Sequence, residues 1–389
     1  MSLDALSRRA VREFQSAFQS TPELLVHAPG RLELLGNHTD YNQGLVLATT
    51  LDLAVNVAVA RRPDATHRLH SSAFPRADIH QRGERGRQLP RGHWARYALA
   101  LLGELEREAL SPGGWDISVC SDLPPGAGLS SSAALLVAIA IAVGGLPHRT
   151  AAQRLRIARL CQAAEHRVGV PCGLLDYLAI LHGKAGHALK LDLRTNRVRP
   201  IRWPRSLALV LIDSGVRHQL TGGGYARIER ACATAARSLG VASLREVTRA
   251  TLNRFLSTPG RRLRPGELDA INHVLTENER VRLAVRALQR GEQEGLGALL
   301  SESHRSSRDR LSNSTPELDD WVSRCASTPG WLGGRLTGGG FGGMTVHLVR
   351  AARQRAFLRQ LSPGTSALAA RLGGGLRVIP VNRRTPHSG

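Results

Sequence analysis

The chain predicts a soluble two-domain protein that mixes strands with helices, and three observations carry that expectation. Its 389 residues suffice for two domains at roughly 100 to 200 residues each. Runs with strand-like alternation, at 45–60 and 115–123, are interspersed with long stretches whose apolar residues recur every three or four positions. The composition, 42% hydrophobic and 22% charged, is that of a folded globular protein.

The opening "MSLDALSRRAVREFQSAF" sets charges and apolar residues at helical spacing, without the apolar core of a secretory signal. Residues 45–60, "LVLATTLDLAVNVAVA", read as strand, as does "WDISVCSDL" at 115–123. "PPGAGLSSS" and an Ala-rich apolar stretch follow, predicting strand, glycine loop and helix in succession. Residues 150–168 form an amphipathic helix running into the turn "GVPCG". Prolines and arginines at 199–206 interrupt the periodicity, which predicts domains over 1–205 and 206–389. The second holds a strand at 207–215, helices at 224–239, 267–289 and 293–311, and a strand after "GGRLTGGGFGG". The polar tail after Pro380 is expected to fray.

The longest apolar run, 133–143, is well short of the roughly 20 residues a membrane span needs. Five cysteines without a CxxC pair fit a reducing compartment, so a cytoplasmic protein is expected. Lys+Arg 53 against Asp+Glu 31 gives +22, a balance that raises nucleic acid as a partner. The charges are scattered, in "RRPDATHR", "RGERGRQLPRGH" and "RRLRPGE", which read as solvated loops. Six Phe, five Trp and four Tyr are few for base stacking, so nucleic-acid binding is the weaker expectation.

Residues 123–135, "LPPGAGLSSSAAL", have the physics of an anion cradle. Gly126 and Gly128 permit close backbone approach, the serines add hydroxyls, and the following helix points free N–H groups at the loop. An ordinary serine-capped helix start is the bland alternative. No Gly-Lys-Ser/Thr follows, which excludes a Walker A loop. "GGGFGG" at 338–343 matches GxGxxG but precedes a strand, whereas a dinucleotide fingerprint opens a helix. So many glycines lose much entropy on ordering, which suggests that something approaches closely there.

The third notable stretch, "GRLELLGNHTDYNQG" at 30–44, crowds polar groups together after an apolar run. These three segments, in this order, resemble the galactokinase branch of the superfamily named for galactokinase, homoserine kinase, mevalonate kinase and phosphomevalonate kinase. The stretches at 170–176, 183–194, 213–225, 274–281 and 301–309 resemble galactokinases too, so the likeness runs from about residue 25 to 350. It implies a two-domain α+β GHMP kinase fold, N-terminal domain like ribosomal protein S5 domain 2 and C-terminal domain ferredoxin-like. It also implies an enzyme that takes ATP, Mg²⁺ and a small sugar, D-galactose, and phosphorylates the anomeric hydroxyl; a monomer is expected.

By that resemblance Asn37, His38, Thr39, Asp40, Gly173 and Tyr225 bind the hexose. Such a pocket needs close-set polar groups, because hydroxyls both donate and accept. Asp176 matches the catalytic aspartate and Arg31 its neighbouring arginine. Pro125, Gly126, Ala127, Gly128, Leu129, Ser130, Ser131 and Ser132 hold the nucleotide phosphates, and Ser132 with Glu165 holds Mg²⁺.

The chain departs from the family at several positions. Asn37 stands where glutamate is usual, which alters the preference at the sugar's C6 while an amide can still hold a primary hydroxyl. Tyr177 replaces a glutamine, an exchange expected to change packing alone, and the segment from Glu165 to Cys172 is one residue short. An N-acetylgalactosamine or galacturonate kinase is therefore an alternative, as is a non-catalytic sugar-sensing regulator on the same fold.

Overall fold

In the computed structural model, which describes residues 4–81, 89–90, 92–111, 113–217, 223–361 and 364–381, the β-branched run at 45–60 becomes one long strand. The expected solvated loop around 82–93 lies mostly, and the tail from 382 entirely, outside the described residues. The described strands are β1 (Leu24–Leu35), β2 (Leu45–Arg62), β3 (Thr66–Ser71), β4 (Phe74–Gln81), β5 (Gly114–Ser121), β6 (His187–Asp192), β7 (Arg197–Arg202), β8 (Leu207–Asp213), β9 (Trp331–Leu336), β10 (Met344–Arg350), β11 (Ala367–Ala370) and β12 (Arg377–Pro380). The helices are α1 (Ala5–Phe18), α2 (Trp94–Arg107), α3 (Ser131–Gly144), α4 (Ala151–Arg167), α5 (Leu175–His182), α6 (Gly224–Leu239), α7 (Arg249–Leu256), α8 (Pro265–Arg290), α9 (Gln293–Ser306), α10 (Pro316–Ala326) and α11 (Gln354–Gln360).

Among the described residues the strands form two sheets, giving the expected α+β architecture. The first runs β12-β1-β2-β5-β3-β4, with β6 on the start of β2 and β7 on β6; only β3 and β5 pair in parallel. β2 is long enough to serve both parts, pairing β6 through Leu45–Ala48 and β5 through Val55–Arg62. α3 is apolar on every side, as a helix with no solvent face must be, and Ala133–Val143 are all buried. It packs on β1 and β2 and against α2, α4 and α5, so the helix behind the serine loop is the centre of the core.

The second sheet is antiparallel, in the order β11-β8-β10-β9, and carries α9 and α10 on β9 and α11 on β8 and β11. The boundary expected at 205/206 falls between β7 and β8, one strand of each sheet. The end of the chain nevertheless returns to the first sheet, where β12 pairs antiparallel with β1 from His27↔Arg377 to Leu24↔Pro380. Four residues show no periodicity in sequence; the open edge of β1 selects them by offering unpaired backbone groups.

Two details aim the site. Register shifts in the β1–β2 ladder, between Pro29 and Arg31 and between Glu33 and Leu35, bracket a short stretch of β1. Such irregularities redirect side chains. The helix expected over 293–311 is regular only to Ser306 and continues as a π turn, Ser307–Leu311, before Ser312 takes a left-handed backbone.

Candidate active site

The redirected stretch of β1 delivers Arg31, buried, to the N-terminus of α5. Its Nε donates to Asp176 Oδ1 at 2.7 Å, Nη2 pairs with the same oxygen, and Nη1 donates to the Gly128 carbonyl at 3.2 Å. Asp176 lies in the first turn of α5, where the helix dipole favours a carboxylate. Its second oxygen accepts from Ser130 Oγ at 2.8 Å. The carboxylate therefore bridges the strand carrying the sugar signature and the serine loop, and with its side chain 30% exposed it still reaches solvent.

The loop 36–44 is pinned from inside. Thr39 Oγ1 lies 2.8 Å from the carbonyls of both Gly36 and Leu45, so its hydroxyl holds the loop closed. His38 adopts a left-handed backbone, φ 55°. Its Nε2 faces the Gly339 carbonyl at 3.1 Å, which can only accept, so in the neutral ring Nδ1 accepts from Tyr41 Oη at 2.7 Å. The His38, Tyr41 and Tyr225 rings pack together, with Tyr225 5.0 Å from His38 and 5.7 Å from Tyr41 between centroids. Asp40 lies against Gly173, where a β-carbon would fall 2.2 Å from its Oδ2, so only glycine leaves room for that carboxylate. Asn37, by contrast, is enclosed at 1% exposure, and its polar atoms all face protein.

Burial pushes the Asp40 carboxyl up from 3.8 to about 7, reinforced by the charges of Asp176 and Glu33. A carboxyl raised in the fold binds an extra proton there between those two values. Stability therefore falls as pH rises from about 4 to about 7, and the loss is complete above that window. Asp40→Asn removes this dependence. Melting temperatures across the window should converge toward the variant's at acid pH and fall below them near neutrality, and parallel curves would refute the assignment.

In the serine loop Gly126, Gly128 and Ser130 all take left-handed backbones, φ 68°, 74° and 60°. Left-handed residues are a feature of backbone anion nests. Ser130 precedes α3 but makes no side-chain cap, since its hydroxyl is spent on Asp176; the first turn of α3 gets no side-chain bond from that position. Pro125 and Gly126 are exposed, Ala127 and Leu129 buried, and Ser131 half-buried. The glycine loop between β9 and β10 backs this turn: a β-carbon on Gly128 would lie 3.2 Å from the Thr337 carbonyl, and one on Gly338 3.2 Å from the Gly128 carbonyl. It is a hairpin loop and a close-approach surface at once.

Ser132 Oγ donates to Glu165 Oε1 at 3.0 Å, and Tyr177 Oη donates to Oε2. α4 ends at Arg167, two residues beyond Glu165. Burial pushes the Glu165 carboxyl up, opposed by the bond from Tyr177. Tyr177, expected only to alter packing, thus holds a carboxylate. Mg²⁺ takes one or two protein oxygens beside phosphates and water, and this serine and glutamate fit that donor set. No cluster of three or more His, Cys, Asp or Glu occurs among the described residues.

The fold therefore brings Arg31, Asp176 and the serine loop into contact, sets Asp40 against Gly173 and packs His38 against Tyr225. The sequence did not single out Ser307 and Asn313, which bond Asn37 from some 270 residues away, nor Glu33, which bonds Asn37 and pairs with the distant Arg335.

Three family models match in order: the galactokinase galactose-binding signature over 12–61, the GHMP kinase N-terminal domain over 96–184 and the GHMP kinase C-terminal region over 284–364. A galactokinase of Chloroflexus aggregans is 39% identical over 357 residues, covering 90% of each chain. The chain belongs to the galactokinase family. The human galactokinase is likewise 39% identical, over 89% of each chain. A Lactococcus lactis galactokinase structure complexed with galactose superposes with a TM-score of 0.85 at 25% identity, over 95% of this chain and 99% of that one. A Methanococcus jannaschii mevalonate kinase, TM-score 0.64 at 16% identity over 90% of this chain and 98% of that one, shares the fold alone. Galactokinase-family membership accounts for both sheets and both loops. Among the described residues no helix is long and apolar enough to cross a membrane.

Proposed function

We propose that the protein is an ATP-dependent sugar 1-kinase that converts D-galactose to galactose 1-phosphate, acting as a cytoplasmic monomer. The observation that carries the reading is the Asp176 carboxylate, clasped by Arg31 from the sugar side and by Ser130 from the phosphate side. Phosphoryl transfer requires an acceptor hydroxyl held in line, a site for its proton, and charge stabilisation on the moving group. Asp176 orients the anomeric hydroxyl and accepts its proton. Arg31 fixes that carboxylate and, being permanently cationic, stabilises the phosphoryl oxygens.

The backbone from Pro125 through Gly126, Ala127, Gly128 and Leu129 to Ser130, Ser131 and Ser132 cradles the phosphates at the head of α3. Ser132 and Glu165 would hold Mg²⁺, whose charge would offset that of the phosphates. Asp40, His38 and Tyr225 line the hexose, Thr39 keeps their loop closed, and Gly173 makes room for Asp40. A pocket that hydrogen-bonds hydroxyls rejects an epimer because its own polar groups would otherwise go unpaired.

The test is product identification with labelled ATP and a panel of D-galactose, D-glucose, N-acetylgalactosamine and galacturonate. Galactose 1-phosphate should dominate. Turnover confined to another sugar would overturn the substrate, and galactose binding without any sugar phosphate would point to a sensor.

A further inference from the structure

Asn37 stands at the position where its family usually has glutamate, and its surroundings in the fold are closed. An asparagine side chain offers two donors and two acceptor sites. Nδ2 donates to the Gly338 carbonyl at 2.7 Å and to Glu33 Oε1 at 3.3 Å. Oδ1 accepts from Asn313 Nδ2 at 3.0 Å and from Ser307 Oγ at 3.1 Å. The Gly338 carbonyl can only accept, which fixes the amide orientation. The backbone is held too: the carbonyl accepts from His273 Nε2 at 2.9 Å, and the N–H donates to Glu277 Oε1 at 3.4 Å.

Every partner except Glu33 comes from residue 273 onward, and one of them sits on the π turn that interrupts regular helix after α9. All four hydrogen-bonding positions of the amide are filled by protein groups and the residue is buried, so a sugar hydroxyl could reach it only by displacing one of those bonds. Asp40, by contrast, is only half-buried.

We propose that Asn37 is a positioning residue, a latch that ties the loop carrying His38 and Asp40 to the glycine loop and the π turn, and that it makes no contact with the C6 group of the hexose. The proposal rests on the galactose kinase reading. It transfers discrimination at C6 to other groups, so the exchange of glutamate for asparagine at this position does not by itself set the sugar preference. The latch acts through His38, whose ring also meets the Gly339 carbonyl, and through Gly338, which lies on the back of the serine loop.

The experiment compares steady-state kinetics with D-galactose and 6-deoxy-D-galactose for the natural protein and for Asn37→Ala, Asn313→Ala and Ser307→Ala. The last two cut the latch from its far side without touching the sugar loop, and they serve if Asn37→Ala does not fold. Asn37→Ala and Asn313→Ala should each raise KM for galactose about tenfold with kcat changed less than about threefold, and the double variant should match the worse single one. Mere loss of folded protein would lower kcat at constant KM. The ratio of kcat/KM between the two sugars should stay within about twofold of the natural value in every variant.

A collapse of that ratio in Asn37→Ala alone would identify a C6 contact and overturn the proposal, as would an unmoved KM in all three variants. Absence of galactose turnover in the natural protein would instead defeat the kinase reading itself.

Discussion

Asp176→Asn is expected to lower kcat with galactose by about a thousandfold or more, with KM for either substrate changed less than about tenfold. Removal of a general base or of a charge that positions a nucleophile ordinarily costs a factor of about 10² to 10⁴. The fold should survive. An amide oxygen still accepts from Arg31, and the amide nitrogen can donate to Ser130, which reverses its role. The exposed edge of the pair lets water solvate the guanidinium that loses its counter-charge, keeping the stability loss below that of a fully buried pair. Rapid-quench turnover with a parallel thermal melt checks both halves, and a variant within tenfold of natural kcat would remove Asp176 from its role.

Arg335→Ala should destabilise the protein by about 3 kcal/mol, read as a shift of the urea midpoint at unchanged slope. The guanidinium is fully buried in β9, where Nη1 donates to Glu33 Oε1 at 3.2 Å and to the Leu34 carbonyl at 3.1 Å. Breaking a buried pair from one side strands the other charge at a cost of about 3 to 5 kcal/mol. The lower figure applies because Arg335 Nε and Nη2 have no hydrogen-bond partner among the described residues, a penalty the substitution relieves. Burial already pushes the Glu33 carboxyl up against the pull of Arg335 and Arg31, so the variant's Glu33 moves further in the same direction. Glu33→Gln combined with Arg335→Met should recover most of the loss, and an unmoved midpoint in Arg335→Ala would show that the pair contributes nothing.

The site was legible in sequence wherever function demands a local pattern. The serine loop needs glycines and a helix start within ten residues, and the stretch 30–44 needs polar groups side by side, so both stand out before any fold is known. Glu165 and Tyr177 were less readable: one was identified through resemblance, the other dismissed as packing, because their hydrogen bond joins α4 to α5. Asn37 was readable in position only. Its neighbours in sequence suggested a sugar ligand, while five of its six hydrogen-bond partners lie more than two hundred residues away.

By itself the sequence determined the alternation of strand and helix, the glycine-serine loop ahead of a helix and the family. Those are properties of periodicity and of short motifs, whose physics acts over a few residues. The tertiary structure alone decided that β12 returns to β1, that Ser130 serves Asp176 instead of capping α3, and which groups saturate Asn37. A residue's type states how many hydrogen bonds it must make when buried, but only the packed chain determines with whom it makes them.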